Sequence, residues 1–503
     1  MQDATDMTDW LNEPETSEGD APNNHLIHHV GDGSPVHAAP VEPSLKPPDP
    51  AEMTDEWHAR RFVDLHAARL RYHKALGGWI AYDGKRWRND ESVTAERLAR
   101  DSIQLLRRHL PTIGDKYERR DFESAIRRAE SSRTVGALLG LARSDDRLKV
   151  APSDFDAHPF LFNCLNGTID LRTGRLRPHD PADLLTKLAS VNYVPDAACP
   201  LWEAALRLSM NDDAEIVAFL CRAAGYSLTG DTSEHCMFLL YGTGRNGKTL
   251  MLTALLGVVG DYGMMAPNHL LTTSGRTQHL TAVADLDGMR LVGISEPAGG
   301  RFDDAQMKSL TGGESIRANR MHCNYFEFAP TYKLFMASNH KPVTGEFNTA
   351  FWRRIKFIDF AVTIQVHQQD RDMPAKLKAE SEGILAWMVR GCLEWQKEGL
   401  NEPEVVRQAT QGYRDEMDPI SGFLDACCDL EETLRVRSSS LWAAYKEWCN
   451  REGISPGERI ANDTTFGRLL TQKGFKVKRT SRGNDRLGLR LKPSPEVDPD
   501  CPI

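Results

Sequence analysis

The apolar residues of the chain change spacing several times, and each change predicts a different element. From residue 56 to about 110 a helical pattern (WHARRFVDLHAARLRYHKAL) gives way to Trp79-Ile80-Ala81-Tyr82-Asp83-Gly84-Lys85-Arg86-Trp87. Aromatics on both sides of an Asp-Gly pair predict a β-hairpin, with Trp79 and Trp87 as core residues in preference to base-stacking ones. Helices are expected through Ala142. A segment over 160–174, punctuated by Asn166-Gly167 and Thr173-Gly174, then predicts strands and turns. Pro200-Leu201-Trp202 opens a helix expected to run to about Ala224.

Beyond Gly230 the pattern is that of an α/β domain. Short apolar runs at 237–241, 291–295, 333–338 and 355–360 read as buried strands, and the first enters a Gly-rich turn that opens into an apolar-periodic helix. From Pro419 the chain turns helical, with Leu441, Trp442, Tyr445 and Trp448 as a packing stripe. A helix and turn over 465–475 and alternating segments at 476–479 and 487–491 predict a helix followed by a two-stranded wing. The expected organisation is an acidic disordered tail (1–55), a mixed α+β domain (56–230), an α/β core (231–365), a helical linker region (366–418), a winged-helix-like lobe (419–492) and a disordered tail (493–503).

With 503 residues, 40% hydrophobic and 26% charged, the chain has material for several soluble domains. No run approaches eighteen apolar residues and the N-terminus shows no signal pattern, so no membrane partner is expected. Ten scattered cysteines without a C-x-x-C pair argue for reduced thiols in the cytoplasm. The net charge of −9 is unevenly spread: residues 1–55 hold twelve acidic residues and one basic residue, Lys46, which leaves the remainder at +2. His25, His28 and His29 in that polar stretch have no partner cluster and read as solvated, not as metal ligands.

The sharpest chemical signal is Gly242-Thr243-Gly244-Arg245-Asn246-Gly247-Lys248-Thr249, which fits G-x-x-x-x-G-K-[ST]. Glycines let backbone N–H groups approach phosphate, the following helix points its positive end at the same charge, Lys248 would reach the β- and γ-phosphates of ATP, and Thr249 would hold Mg²⁺. Such spacing arises by chance in about 2% of chains this long. The 291–295 strand leads into Glu296, an acid placed to polarise water beside the metal, with Asp303 and Asp304 as candidate helpers. Asn339 ends a strand, where it either senses the γ-phosphate or makes an Asx-turn. Arg353 and Arg354 are either surface charge or a finger reaching a neighbouring subunit's nucleotide.

These residues together resemble the phage and plasmid primase-helicase family related to the poxvirus primase-helicase, whose ATPase belongs to the superfamily 3 helicases. The resemblance covers most of the chain from about Trp79 and rests on GTGRNGKT, LDGMRLVGISEP, MKSLTGGESIRANR, LFMASNHKP and FWRRIKFIDF in the family's order. It implies an AAA+-like P-loop NTPase core with Gly242 to Thr249 as the Walker A loop. Glu296 becomes the Walker B acid, Asn339 the sensor, and Arg354, in preference to Arg353, the finger. Residues 307–328 correspond to a hairpin that projects into a central channel, where Lys308, Arg317, Arg320 and His322 are candidate DNA contacts. Ser295 departs from the family at a place where a first acid is common, and Asn348 where Asp is often found.

The C-terminal segment adds a second basic region. Arg468, Lys473, Lys476, Lys478, Arg479, Arg482, Arg486, Arg490 and Lys492 face one acid, Asp485, and Arg468, Lys476, Lys478 and Arg479 are the strongest candidates for contacting nucleic acid. The expected function is an ATP-dependent DNA helicase of phage, prophage or plasmid replication in a bacterial cytoplasm, a hexameric homo-oligomer moving on single-stranded or forked DNA. The alternative is an ATP-switched initiator that melts origin DNA without processive unwinding; an ATPase that remodels proteins would show no DNA stimulation. Only some fifty-five residues precede the family's pre-motor region, so primer synthesis is expected from a separate primase.

Overall fold

The first helix, Asp55–His66, starts where the Thr54 hydroxyl accepts the Trp57 N–H, and it buries Ala59, Phe62 and Val63. The computed structural model describes residues 46–272, 280–295, 301–320, 324–344, 349–418, 420–454, 459–481 and 483–493. The helical pattern expected to reach the hairpin stops at His66, and Leu70–His73 is a strand paired antiparallel with Gly78–Tyr82, which pairs in turn with Trp87–Asn89. Sheet pairing overrides helical periodicity here because it buries Leu70 completely opposite Ala81. Trp87 is 1% exposed, and its Nε1 donates to the Pro181 carbonyl at 2.9 Å. Trp79 packs edge-on against Phe62 and Tyr72. Both tryptophans are therefore core residues. Helices Thr94–Gln104, Lys116–Ala129 and Ser132–Ala142 complete this lobe around Leu98, Ile103, Phe122, Ile126 and Leu138.

The helix expected from 201 to 224 is two helices, Pro200–Ser209 and Ala214–Tyr226. Asn211 and Asp212 between them take positive φ (52° and 57°), and the Asp213 carboxylate caps the second helix at Glu215 and Ile216. Preceding them, Leu161–Cys164, Gly167–Asp170 and Arg175–Arg177 form a small antiparallel sheet.

The centre of the fold is a five-stranded, wholly parallel sheet in the order Ile355–Asp359, Met237–Tyr241, Lys333–Ser338, Leu291–Ile294, Gly263–Ala266. Strands buried on both faces read as continuous apolar runs, which is why four of the five are visible in the sequence. The fifth, Gly263–Ala266, is a short edge strand with Met265 40% exposed, and it carries no such run. Phe238, Leu240, Phe335 and Ile358 share an apolar cluster with the helices Ala214–Tyr226, Lys248–Val259 and Ser381–Glu398. The alternate residues Met237, Leu239, Leu334, Met336 and Phe357 pack with Phe302, Phe351, Trp352 and Tyr413.

The C-terminal lobe packs helices Ser421–Cys427, Ser438–Arg451 and Asp463–Gln472 against an antiparallel sheet ordered Cys428–Arg437, Gly483–Leu491, Val477–Thr480. Cys428–Arg437 falls inside a stretch read as helical; the alternation Leu434-Arg435-Val436-Arg437 was its signal. Leu441 and Tyr445 are buried as a packing stripe requires. Among the described residues no helix is long and apolar enough to cross a membrane.

Candidate functional site

The turn after Met237–Tyr241 is tightly enclosed. A Cβ on Gly242 would lie 2.0 Å from Asn246 Nδ2 and 2.7 Å from the Phe360 carbonyl, so nothing larger than glycine fits. Gly244 and Gly247 take φ of +107° and +89°, which glycine adopts without strain. The Gly242 N–H donates to the Ser338 carbonyl at 3.2 Å and the Ile364 N–H to the Arg245 carbonyl at 2.8 Å, tying the turn to two neighbouring segments. Gly247 precedes the helix Lys248–Val259 without a side-chain cap, so the first-turn N–H groups keep their donor capacity toward the turn.

Lys248 is 4% exposed, and its ammonium donates to the Gly242 carbonyl (2.7 Å), Asn246 Oδ1 (2.8 Å) and Asn339 Oδ1 (3.1 Å). Asn246 in turn donates through Nδ2 to the Phe360 carbonyl at 3.1 Å, which fixes its amide orientation and hence the place of the lysine. Asn339 follows Lys333–Ser338, the neighbour of the loop strand, so the loop and the expected sensor meet at the C-terminal ends of adjacent parallel strands. Thr249 is exposed at the second position of the helix. Asp359 was not anticipated. It ends the neighbouring strand beside Tyr241; burial raises its carboxyl above the usual range while the fields of Lys341 and Lys248 oppose that rise. Its signal was an acid directly after the apolar alternation of Ile355–Asp359.

Glu296, His322, Asn348 and Arg482 lie outside the described residues. Ser295 is exposed immediately after Leu291–Ile294. Of the two candidate helper acids, Asp303 caps the helix Asp304–Thr311 by accepting the Gln306 N–H, and Asp304 Oδ1 accepts the Thr344 hydroxyl at 2.9 Å.

Arg353 is exposed, whereas Arg354 is half-buried and its Nη1 donates to the Ala350 carbonyl at 2.6 Å. The Arg354 carbonyl accepts the Met237 N–H, which puts both arginines at the N-terminal ends of the parallel strands. The five-residue loop strand separates them from their own loop by about 16 Å. Neither can serve the loop of its own chain.

The hairpin Ile316–Asn319/Tyr325–Phe328 pairs Arg317 with Glu327 and buries Ile316, Ala318 and Phe328. Exposed Arg317 stacks its guanidinium 4.6 Å from the Tyr325 ring. Exposed Arg320 lies 5.1 Å from the Phe326 ring and pairs with Asp287 at 3.2 Å. Lys308 sits on the preceding helix, half-buried, its ammonium over the ring of buried Phe351. In the C-terminal lobe Arg468, Lys476, Lys478 and Arg479 are exposed, with Lys478 opposite Asp485. Arg486 does not join that face: it is 5% exposed and donates to Thr471 Oγ1, the Phe475 carbonyl and the Gly467 carbonyl, clamping the last helix to the wing. Lys473 pairs with Asp418, Arg490 with Asp429, and Lys492 donates to the Asp425 carbonyl.

Residues 59–208 match the family described as D5 N terminal like, 240–354 match a family of unknown function (DUF5906), and 415–487 match Poxvirus D5 protein-like. The chain is similar to "Putative helicase L207/L206" of Acanthamoeba polyphaga mimivirus, 24% identical over 346 residues that cover 63% of this chain and 36% of that protein. It is also similar to "Putative helicase 022R" of Frog virus 3 (isolate Goorha), 22% identical over 377 residues, 58% of this chain and 39% of that protein. The matched part is thus less than half the length of either relative. Among solved structures, the apo NrS-1 C terminal region (305-718) aligns with a TM-score of 0.48 at 13% identity, over 87% of this chain and 99% of that one. An A form of the same region aligns with a TM-score of 0.45 at 11% identity, over 88% and 100%. The D5 N terminal like segment and the Poxvirus D5 protein-like segment flank the loop-bearing sheet, so the chain carries two segments of the poxvirus D5 primase-helicase type in this order.

Proposed function

We propose that the chain is an ATP-dependent DNA helicase with a P-loop core of the superfamily 3 type, acting as a hexameric ring on single-stranded or forked DNA. The observation that carries this reading is the meeting of the buried Lys248 ammonium with Asn339 at the C-terminal ends of adjacent parallel strands, beside an uncapped helix start. A triphosphate fits that cradle: two glycines admit its backbone approach, and Lys248 can exchange its bonds to Gly242 and Asn246 for phosphate oxygens. Thr249 and Glu296 are the residues that would hold Mg²⁺, which would neutralise charge developing on the phosphates.

In this account Asn339 orients the attacking water, and an arginine from the neighbouring subunit completes the site. The 16 Å placement of Arg353 and Arg354 from their own loop, a distance of about one five-residue strand, supports action in trans. Arg317 and Tyr325 offer a cation and an exposed ring for a passing single strand, and the winged-helix-like C-terminal lobe offers Arg468, Lys476, Lys478 and Arg479 to phosphates. Nucleotide binding and turnover measured on Lys248→Ala and Asn339→Ala test the site. Lys248→Ala should lose binding, and Asn339→Ala should bind ATP but turn it over slowly. Normal hydrolysis by Lys248→Ala would remove the proposal, and hydrolysis without strand displacement would replace the helicase with the initiator.

A further inference from the structure

The lobe from Asp55 to Lys149 carries 21 Lys and Arg against 15 Asp and Glu, a net of +6, while residues 150–503 carry 40 against 45. Positive charge is therefore concentrated in a lobe that the nucleotide site and the C-terminal wing do not use.

Part of that charge lies on the helix Lys116–Ala129, which carries five cations against Glu118, Asp121 and Glu123. Phe122, Ala125, Ile126 and Ala129 face the core, and helical spacing sets Lys116, Arg119, Arg120 and Arg127 together on the solvent side. Arg107 reaches the same side from the neighbouring 105–112 segment, which is held there by its pair with Glu130 at 2.8 Å. Glu130 pairs with Arg107 and Glu123 with Arg127, while Asp115 caps the helix and Glu118 and Asp121 lie off the stripe by helical spacing; Arg127 holds the Glu123 carboxyl below its ordinary range, with Arg107 and Arg119 adding to the effect. Beside the stripe stands Tyr117, whose aromatic ring is 77% exposed among the described residues.

We propose that this helix face is a nucleic-acid backbone site, separate from the channel hairpin and the C-terminal wing, with Tyr117 stacking on an unpaired base at its end. Lys116 to Arg127 span about 16 Å along the helix axis, which matches about five base steps of DNA at 3.4 Å each. The stripe reads phosphate, not sequence, and Tyr117 makes it favour single strands.

The test uses the full chain and fluorescence anisotropy with a labelled oligothymidylate and a duplex of equal length over a series of salt concentrations. Lys116→Gln/Arg119→Gln/Arg120→Gln should lower the slope of log affinity against log salt by about 2 for the single strand and about 2.7 for the duplex. Tyr117→Ala should weaken single-strand binding about 5-fold or more and leave the duplex unchanged. Thermal unfolding of both variants, all substituted at exposed positions, reports that the lobe is intact. An unchanged salt slope in the folded triple variant overturns the site. Equal loss on both DNAs for Tyr117→Ala overturns the stacking role.

Discussion

The placement of Arg353 and Arg354 leads to a quantitative prediction about cooperation between subunits. Arg354 touches the first residue of the loop strand through its carbonyl, and the Gly242–Thr249 loop begins after the last, about 16 Å away across five residues. An extended arginine cannot cross that gap, so any contribution to hydrolysis must come from another subunit. Arg354→Ala should therefore bind ATP normally and lose about 10³-fold or more in turnover, the range an arginine finger supplies. The substitution removes one hydrogen bond to Ala350, worth about 1 kcal/mol, so the fold should survive. In a 1:1 mixture with Lys248→Ala, a competent interface needs an intact lysine from one variant beside an intact arginine from the other. Random assembly yields these at about a quarter of the interfaces, and the recovered ATPase rate should approach but not exceed that fraction of wild type. Arg353→Ala is the parallel arm, because Arg353 is the more exposed of the two. Near-normal hydrolysis by both arginine variants, or no recovery in either mixture at any ratio, would refute the trans arrangement.

Two further outcomes follow from buried charge. His66 is held neutral by burial, with Arg69 adding to the effect, and its pKa falls from 6.5 to about 4. The unfolded chain then takes the proton first, so stability should fall as pH drops from about 6.5 toward 4, by about 3 kcal/mol at the limit, with no His66 contribution above that window. Denaturant titration of His66→Gln across that range should show a shallower dependence, and an unchanged slope would contradict the assignment. In the C-terminal lobe, Arg486→Gln should lower the melting temperature, because three acceptors lose a buried donor, whereas Lys478→Gln/Arg479→Gln should weaken DNA binding at unchanged melting temperature. Reversal of those two phenotypes would show that the clamp and the contact face have been exchanged.

The strand, Gly-rich turn and helix over 237–259 were legible in the sequence because their requirements are steric and local: Gly242 and Gly247 are needed where a Cβ would collide, and the flanking apolar run and helix are contiguous. Trp87 was legible as core for a similar reason, an aromatic beside a tight turn. The contact between Lys248 and Asn339 spans 91 residues, and only the motif resemblance brought the pair together before the sheet order did. Within the C-terminal basic run the letters could not separate Arg486 from Lys478, since both are cations on the same hairpin; the pleat sends one under the helix and the other to solvent. The break at Asn211 and Asp212 and the strand Cys428–Arg437 were lost to apolar spacings that fit two elements equally well.

The measurement closest to the central claim is the ATPase rate with and without single-stranded DNA, on protein sized by light scattering in the same buffer. The account predicts a ring-sized assembly whose hydrolysis rises with DNA and is lost in Lys248→Ala. Hydrolysis indifferent to DNA, or retained by Lys248→Ala, would contradict it.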